Sequence, residues 1–247
     1  MPLVTSIREF WLDLCALVWP TQCVSCGLPD RDCCMPCRVE LRSHAAAPRG
    51  EIGGVPVVAC GDYDGPLRAV LVAFKHGGRT GFAGELSALL GDSLAGAIAA
   101  ADPAGIARDP PIVVSAPSRP ARVRERGFHH IEVLISRAMR ERRIAALRVD
   151  ALRAVRGRRS QQGLGGAERV SNAGLVETRR TRRNVLAGRR VILVDDVVTT
   201  GATVSAAQAA LRAAGAQVVG IAALCVVQRQ SSRLTGTREW KPLPRVE

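Results

Sequence analysis

Val191-Ile-Leu-Val194-Asp195-Asp196-Val-Val-Thr199-Thr200-Gly201-Ala202-Thr203 is the stretch on which the fold turns. Its continuous apolar start, Val191–Val194, reads as a strand buried on both faces. The strand delivers two carboxylates, and small hydroxyl residues then lead into a helix over 205–214 that Gly215 stops. Ligands of open α/β sheets bind beyond the carboxyl ends of strands. Amides around Thr199–Thr203, with the N-terminus of the next helix, form a cradle for a phosphate, and Gly201 lets the backbone approach it closely. Adjacent carboxylates cannot hold a phosphate, but they accept hydrogen bonds from a sugar diol. The stretch therefore reads as an acid pair for ribose hydroxyls followed by an amide nest for a 5′-phosphate. The bland alternative is a buried acid pair ending a structural strand. Walker A is excluded, because no Lys follows a second Gly, and so is Gly-x-Gly-x-x-Gly.

On either side of this stretch, strands and helices alternate. Val55–Cys60 reads as a strand, 66–75 and 82–100 as helices, Ile112–Val114 as a short buried strand ending at Ser115-Ala116-Pro117-Ser118. A helix follows over 129–143, then extended chain over 147–155, and a final buried strand over 218–227. Such alternation predicts a mainly parallel sheet covered by helices on both faces. Ala45–Gly50 reads as a linker, residues 156–168 as a glycine- and arginine-rich mobile loop, and the chain from Gln228 as a weakly ordered tail.

The chain has 247 residues, enough for one α/β domain and a small appendage. With 47% hydrophobic residues it can bury a core, which excludes wholesale disorder. No uncharged apolar run reaches 18 residues, so no membrane span is expected. The apolar stretch Phe10–Trp19 carries Asp13 and has no small-residue cleavage site, so it reads as a docking helix. A cytoplasmic location follows as the expectation.

The formal charge is +13, but its location says more than its size. Residues 119–190 hold 20 arginines and six acids, a net +14, and everything else together is nearly neutral. Either this excess meets a polyanion or it reflects arginine-biased coding, since Lys75 and Lys241 are the only lysines. The scarce aromatics (3%) argue against a base-stacking platform.

Five of the eight cysteines fall between Cys23 and Cys37, as Cys23-Val-Ser-Cys26 and, seven residues on, Cys34-Met-Pro-Cys37. Two such knuckles aim four thiolates at one tetrahedral Zn²⁺, which would be structural. Disulfides or redox thiols are the competing reading, and Cys33 could compete with Cys34 as a ligand. Cys15, Cys60 and Cys225 sit in apolar contexts and read as core.

The thirteen-residue acid-and-threonine string resembles the phosphoribosyl-pyrophosphate motif of type I phosphoribosyltransferases. Other segments resemble the ComF/GntX competence-protein family: Ser115-Ala116-Pro117 followed by Arg126-Gly127-Phe128-His129-His130, then Gln162-Gly-Leu164 with Glu168-Arg169 and Asn172. Tyr63-Asp-Gly-Pro-Leu67 with Phe74-Lys75, and the paired knuckles after Pro20, also match, so the resemblance covers roughly residues 10–227 in consistent order. It implies an apolar helix and zinc-binding ribbon over 1–47, a phosphoribosyltransferase domain over 48–228 and a tail over 229–247. Two departures lie where that fold would grip pyrophosphate or order the adjoining helix. Ser115-Ala116-Pro117 replaces Pro-Val-Pro, and His129-His130 stands where Asn-Gln or Asn-His is usual.

By the same resemblance, Asp195 and Asp196 would contact the ribose hydroxyls and help order Mg²⁺. Thr199, Thr200, Gly201, Ala202 and Thr203 would hold the 5′-phosphate, and Val197 and Val198 would belong to the same phosphoribosyl-pyrophosphate-binding run. Pro117, Ser118 and Arg119 could form the pyrophosphate loop. Arg158, Arg159 and Gln162 either close over the site or sit on a solvated loop. His129 and His130 read as helix-start residues rather than a base, and Lys75 as a helix-end charge. Two function classes follow. One is an enzyme transferring a phosphoribosyl group from phosphoribosyl pyrophosphate to an unidentified acceptor, linked through the family to DNA uptake in natural transformation. The other is a non-catalytic factor binding single-stranded DNA, or other DNA-uptake proteins, that keeps the phosphoribosyl site.

Overall fold

A computed structural model of the chain describes residues 22–29, 31–118, 120–155 and 175–227. The expectations for Phe10–Trp19, Cys15, Arg119, the loop 156–168 and the tail from Gln228 lie outside them.

The architecture is mixed α/β, with a mostly parallel sheet flanked by helices. Its strands are β1 (Ala47–Ile52), β2 (Val55–Asp62), β3 (Ile112–Ser115), β4 (Leu147–Arg148), β7 (Arg190–Val198) and β8 (Gln217–Val226). They lie in the order β1-β2-β8-β7-β3-β4, parallel except for the β1–β2 pair. A separate antiparallel pair joins β5 (Leu152–Val155) to β6 (Leu175–Thr178). Extended chain expected over 147–155 is thus two short strands in two sheets. Seven α-helices are described: α1 (Met35–Ser43), α2 (Gly65–His76), α3 (Ala83–Ala101), α4 (Pro120–Arg126), α5 (His130–Glu141), α6 (Arg183–Leu186) and α7 (Ala202–Ala213).

One expectation is corrected outright. Ala45–Gly50 is not a linker but contributes to edge strand β1, which turns into β2 through Gly53-Gly54 at φ +58° and +73°. Two successive positive φ values match the twist of a two-residue hairpin, and Ile52 duly faces Val55. Pro48 and Gly50 read as breakers, yet an edge strand tolerates both, here with a register shift between Pro48 and Glu51.

The chain divides into two compact units. Among the described residues, the first joins those up to His44 to Asp64–Phe82; the second comprises Ala45–Tyr63 and those from Ala83 onward. Asp64–Phe82, placed by sequence in the 48–228 region, therefore groups with the cysteine-rich segment. Within that unit α1 packs on α2, and Leu41 and Phe74 are fully buried. Helical spacing of Leu67, Val70, Leu71 and Phe74 explains the alternation, since one stripe of α2 carries all four.

In the second unit, Val191 and Leu193 of β7 share a core with Val204, Ala207 and Leu211 of α7. Alternation sends Ile192 and Val194 to the opposite face. There α3 packs against β2 and β8. With the 3₁₀ turn before it, α3 is long and apolar enough to cross a membrane by length and composition, though it carries Glu85 and Asp92. Leu86, Leu90 and Leu94 are nevertheless wholly buried, as in a core helix.

Candidate phosphate and ribose site

Strand β7 runs past the expected Val194 to Val198, so both carboxylates lie inside the strand. The cause is unequal neighbours. On one side β8 stays paired as far as Val198↔Val226, whereas β3 stops at Ser115↔Val194. The Ala116 amide still donates to the Val194 carbonyl at 2.7 Å, and Pro117 then has no N–H to continue the ladder. The site is thus the notch beyond the end of β3. The chain leaves β3 towards β4 and leaves β7 towards β8, in opposite directions across the sheet, so the notch lies at a topological switch point.

At the end of β7 the backbone turns at Gly201, whose φ of 70° and ψ of −3° are left-handed. An L side chain is strained in that conformation. Gly201 serves as N-cap of α7, its carbonyl accepting from the Ser205 amide at 2.7 Å. Thr200 Oγ1 accepts from the Ala202 amide at 3.4 Å. Thr199, Ala202 and Thr203 are exposed and Thr200 is half-buried. A twelve-residue helix thus presents its N-terminus beside small, hydroxyl-bearing side chains, an arrangement suited to a phosphate dianion.

The adjacent acids diverge. Pleating puts Asp195 on the face of Val191 and Leu193, towards α7, and Asp196 on the other. Asp195 Oδ1 accepts the Asp196 amide at 2.8 Å. Asp196 Oδ2 instead meets Nε2 of His130, the buried first residue of α5. The opposite ring nitrogen, Nδ1, lies 2.9 Å from Nη1 of Arg126 at the end of α4. His130 is thus more than a helix-start residue. No local pattern reveals its partner 66 positions away, although Arg126 and His130 are four residues apart in sequence.

Of the other expected positions, Val198 packs into the core, so only its backbone can face a ligand, and Val197 is half-buried in β7. Pro117 and Ser118 follow β3 at the notch and are half-buried. Glu132 of α5 braces this end of β3, accepting from Ser115 Oγ and, at 2.6 Å, from Arg148. Arg119, Arg158, Arg159 and Gln162 lie outside the described residues.

In the first unit the sulfurs of Cys23, Cys26, Cys34 and Cys37 all lie within 4.8 Å of one another, a group able to hold a metal ion. The Cys26 and Cys34 sulfurs are 3.5 Å apart. Sulfurs about 2.3 Å from a tetrahedral zinc would be about 3.8 Å apart, so the spacing fits. Gly27, at φ +76°, donates to the Cys23 carbonyl and closes the first knuckle. Burial pushes the Cys23 thiol up, but amides of Cys26, Cys34 and Ser25 outweigh it and bring it to about 6. Ser25 pulls Cys37 down, yet neighbouring cysteines and burial carry it to about 12. Cys26 is also raised, against the pull of the Leu28 amide. Cys33 stands apart from the four, its sulfur directed to the Cys34 carbonyl at 3.8 Å, and burial lifts it to about 11. These five cysteines are free thiols, not disulfides.

Residues 135–242 match the family described as the phosphoribosyl transferase domain. The match takes in β7, the turn at Gly201 and α7. Adenine phosphoribosyltransferase of Treponema pallidum (strain Nichols) is 51% identical over 43 residues, 17% of this chain and 23% of that protein. The enzyme of the same name from Parafrankia sp. is 51% identical over 51 residues, 20% of this chain and 28% of that one. The chain thus spans about a quarter of the length of these relatives. Among solved structures, Saccharomyces cerevisiae adenine phosphoribosyltransferase has a TM-score of 0.38 at 16% identity, over 78% of this chain and 90% of that one. The enzyme from Thermoanaerobacter pseudethanolicus has a TM-score of 0.35 at 14% identity, over 77% and 99%.

Proposed function

We propose that the chain binds phosphoribosyl pyrophosphate at the notch beyond β3 and transfers its phosphoribosyl group to a nitrogen acceptor. The observation that carries this reading is left-handed Gly201 at the N-terminus of α7, directly after a strand bearing Asp195 and Asp196. The 5′-phosphate would receive the amides around Thr199–Thr203, and a ribose hydroxyl would donate to Asp195. Pro117 and Ser118 lie where the pyrophosphate would leave. In the reaction the bond from the ribosyl anomeric carbon to pyrophosphate breaks. The acceptor nitrogen bonds to that carbon and gives up a proton. Carboxylate oxygens are hard donors that suit Mg²⁺, which when bound with the substrate neutralises charge on the departing pyrophosphate. This chain's own contribution is positioning and fixed dipoles, with no covalent intermediate. In the first unit, Cys23, Cys26, Cys34 and Cys37 would hold a structural zinc.

The test is calorimetric titration of the full chain with phosphoribosyl pyrophosphate and Mg²⁺. Saturable heat is expected, abolished when Asp195→Asn and Asp196→Asn are combined. Absence of binding at millimolar ligand would sink the proposal.

The order of motifs further supports membership of the ComF/GntX family and a role in DNA uptake, in a cytoplasmic setting. A second reading, single-stranded DNA binding, rests on exposed Arg179, Arg180, Arg182 and Arg183 around α6. Phosphate contacts would dominate, with weak sequence preference. Affinity should then fall steeply with salt, and Arg→Ala changes over 179–183 should flatten that slope. A salt-insensitive constant would rule out this reading.

A further inference from the structure

The contact between His130 and Asp196 divides the labour of the acid pair. Arginine nitrogens only donate, so the Arg126 guanidinium 2.9 Å from Nδ1 requires a lone pair on that nitrogen. The imidazole proton then resides on Nε2, the atom that faces Asp196. His130 is 3% exposed and Asp196 half-buried, so the charge-assisted hydrogen bond forms away from bulk water. It links α5 to β7 where β3 no longer flanks that strand. Asp195, placed on the α7 face by strand alternation, accepts the Asp196 amide at 2.8 Å.

We propose that His130 is a positioning residue. Oriented by Arg126, it holds the Asp196 carboxylate and the end of β7 in the rotamer and register that leave Asp195 directed at the sugar. The ligand part of this inference rests on the phosphoribosyl reading above; the hydrogen-bond chain itself does not.

Two measurements on the full chain test it. The first is imidazole ¹⁵N spectroscopy at neutral pH without ligand. His130 should show a proton on Nε2 and an unprotonated Nδ1. A proton on Nδ1 as the main form would overturn the proposal, whatever the protein binds. The second is affinity for phosphoribosyl pyrophosphate with Mg²⁺ in wild type, His130→Leu and His130→Gln. Leucine fills the volume but cannot donate; the glutamine amide can reach Asp196 and donate. Removing a hydrogen bond to a charged group should weaken binding about tenfold or more in His130→Leu, and His130→Gln should restore most of it. Equal affinity in wild type and His130→Leu would overturn the positioning role, as would a glutamine variant no better than leucine. If His130→Leu does not fold, the glutamine variant and the wild-type spectrum still decide. A wild type that binds nothing but shows the Nε2 proton refutes the phosphoribosyl reading and keeps the hydrogen-bond chain.

Discussion

Gly201→Ala tests the phosphate loop without touching a charge. At φ 70° and ψ −3°, an alanine would bring its Cβ against the following carbonyl, a strain of about 1–2 kcal/mol. Alanine is also a poorer N-cap than glycine. Against this, alanine lowers the entropy of the unfolded chain, an offset of about 0.4–1 kcal/mol. The net loss is about 1 kcal/mol, and for a chain of this size that lowers Tm by about 2–4 °C. If the backbone escapes the strain by leaving the left-handed region, the amides that face the phosphate turn away and affinity falls. At a phosphoribosyl pyrophosphate concentration a hundredfold above Kd, wild type should gain about 2.7 kcal/mol. A variant binding tenfold more weakly should gain about 1.4 kcal/mol at that concentration. Thermal unfolding with and without ligand measures both quantities. Gly81→Ala is the control, because its φ is ordinary and a Cβ there would meet nothing within 4 Å. Gly201→Ala matching Gly81→Ala in Tm and in ligand response would refute the loop geometry and its use.

Metal affinity should depend steeply on pH. Cys26 and Cys37 are raised above their ordinary value of 9.0 and so are protonated at neutral pH, and a thiolate-bound ion must expel those protons. Each released proton costs about tenfold in zinc affinity per unit fall in pH near neutrality, so these two thiols alone give about a hundredfold, measurable by competition with a chromogenic chelator. Affinity equal at pH 8 and 6.5 would contradict the four-thiol site. In the core, Gly220→Val would place a Cβ 3.0 Å from Ile192 Cδ1 and 3.1 Å from the Ala97 carbonyl. Backbone on one side cannot yield, so overpacking should cost about 1–3 kcal/mol by chemical denaturation.

Most of the elements are legible because their signals are local. The helical stripe Leu67, Val70, Leu71, Phe74 and the apolar run Val191–Val194 need only nearest neighbours to be recognised. The cysteine knuckles are legible too, since turn geometry brings each pair together over three residues. Strand β1 was hidden because Pro48 and Gly50 disfavour a central strand, and nothing local tells an edge position from a loop.

By itself, then, the sequence determined the alternating α/β pattern, the carboxylate–threonine–glycine order and the grouping of thiols. Each is written in short-range spacings along the chain. Tertiary structure alone decided which carboxylate faces α7 and which is held by His130. That outcome depends on where β3 stops beside β7 and on strand alternation through Asp195 and Asp196. It also decided that Cys33 stays out of the sulfur group and that Asp64–Phe82 joins the cysteine-rich unit. Contacts between residues far apart in the chain are set by packing, and packing leaves no period in the sequence.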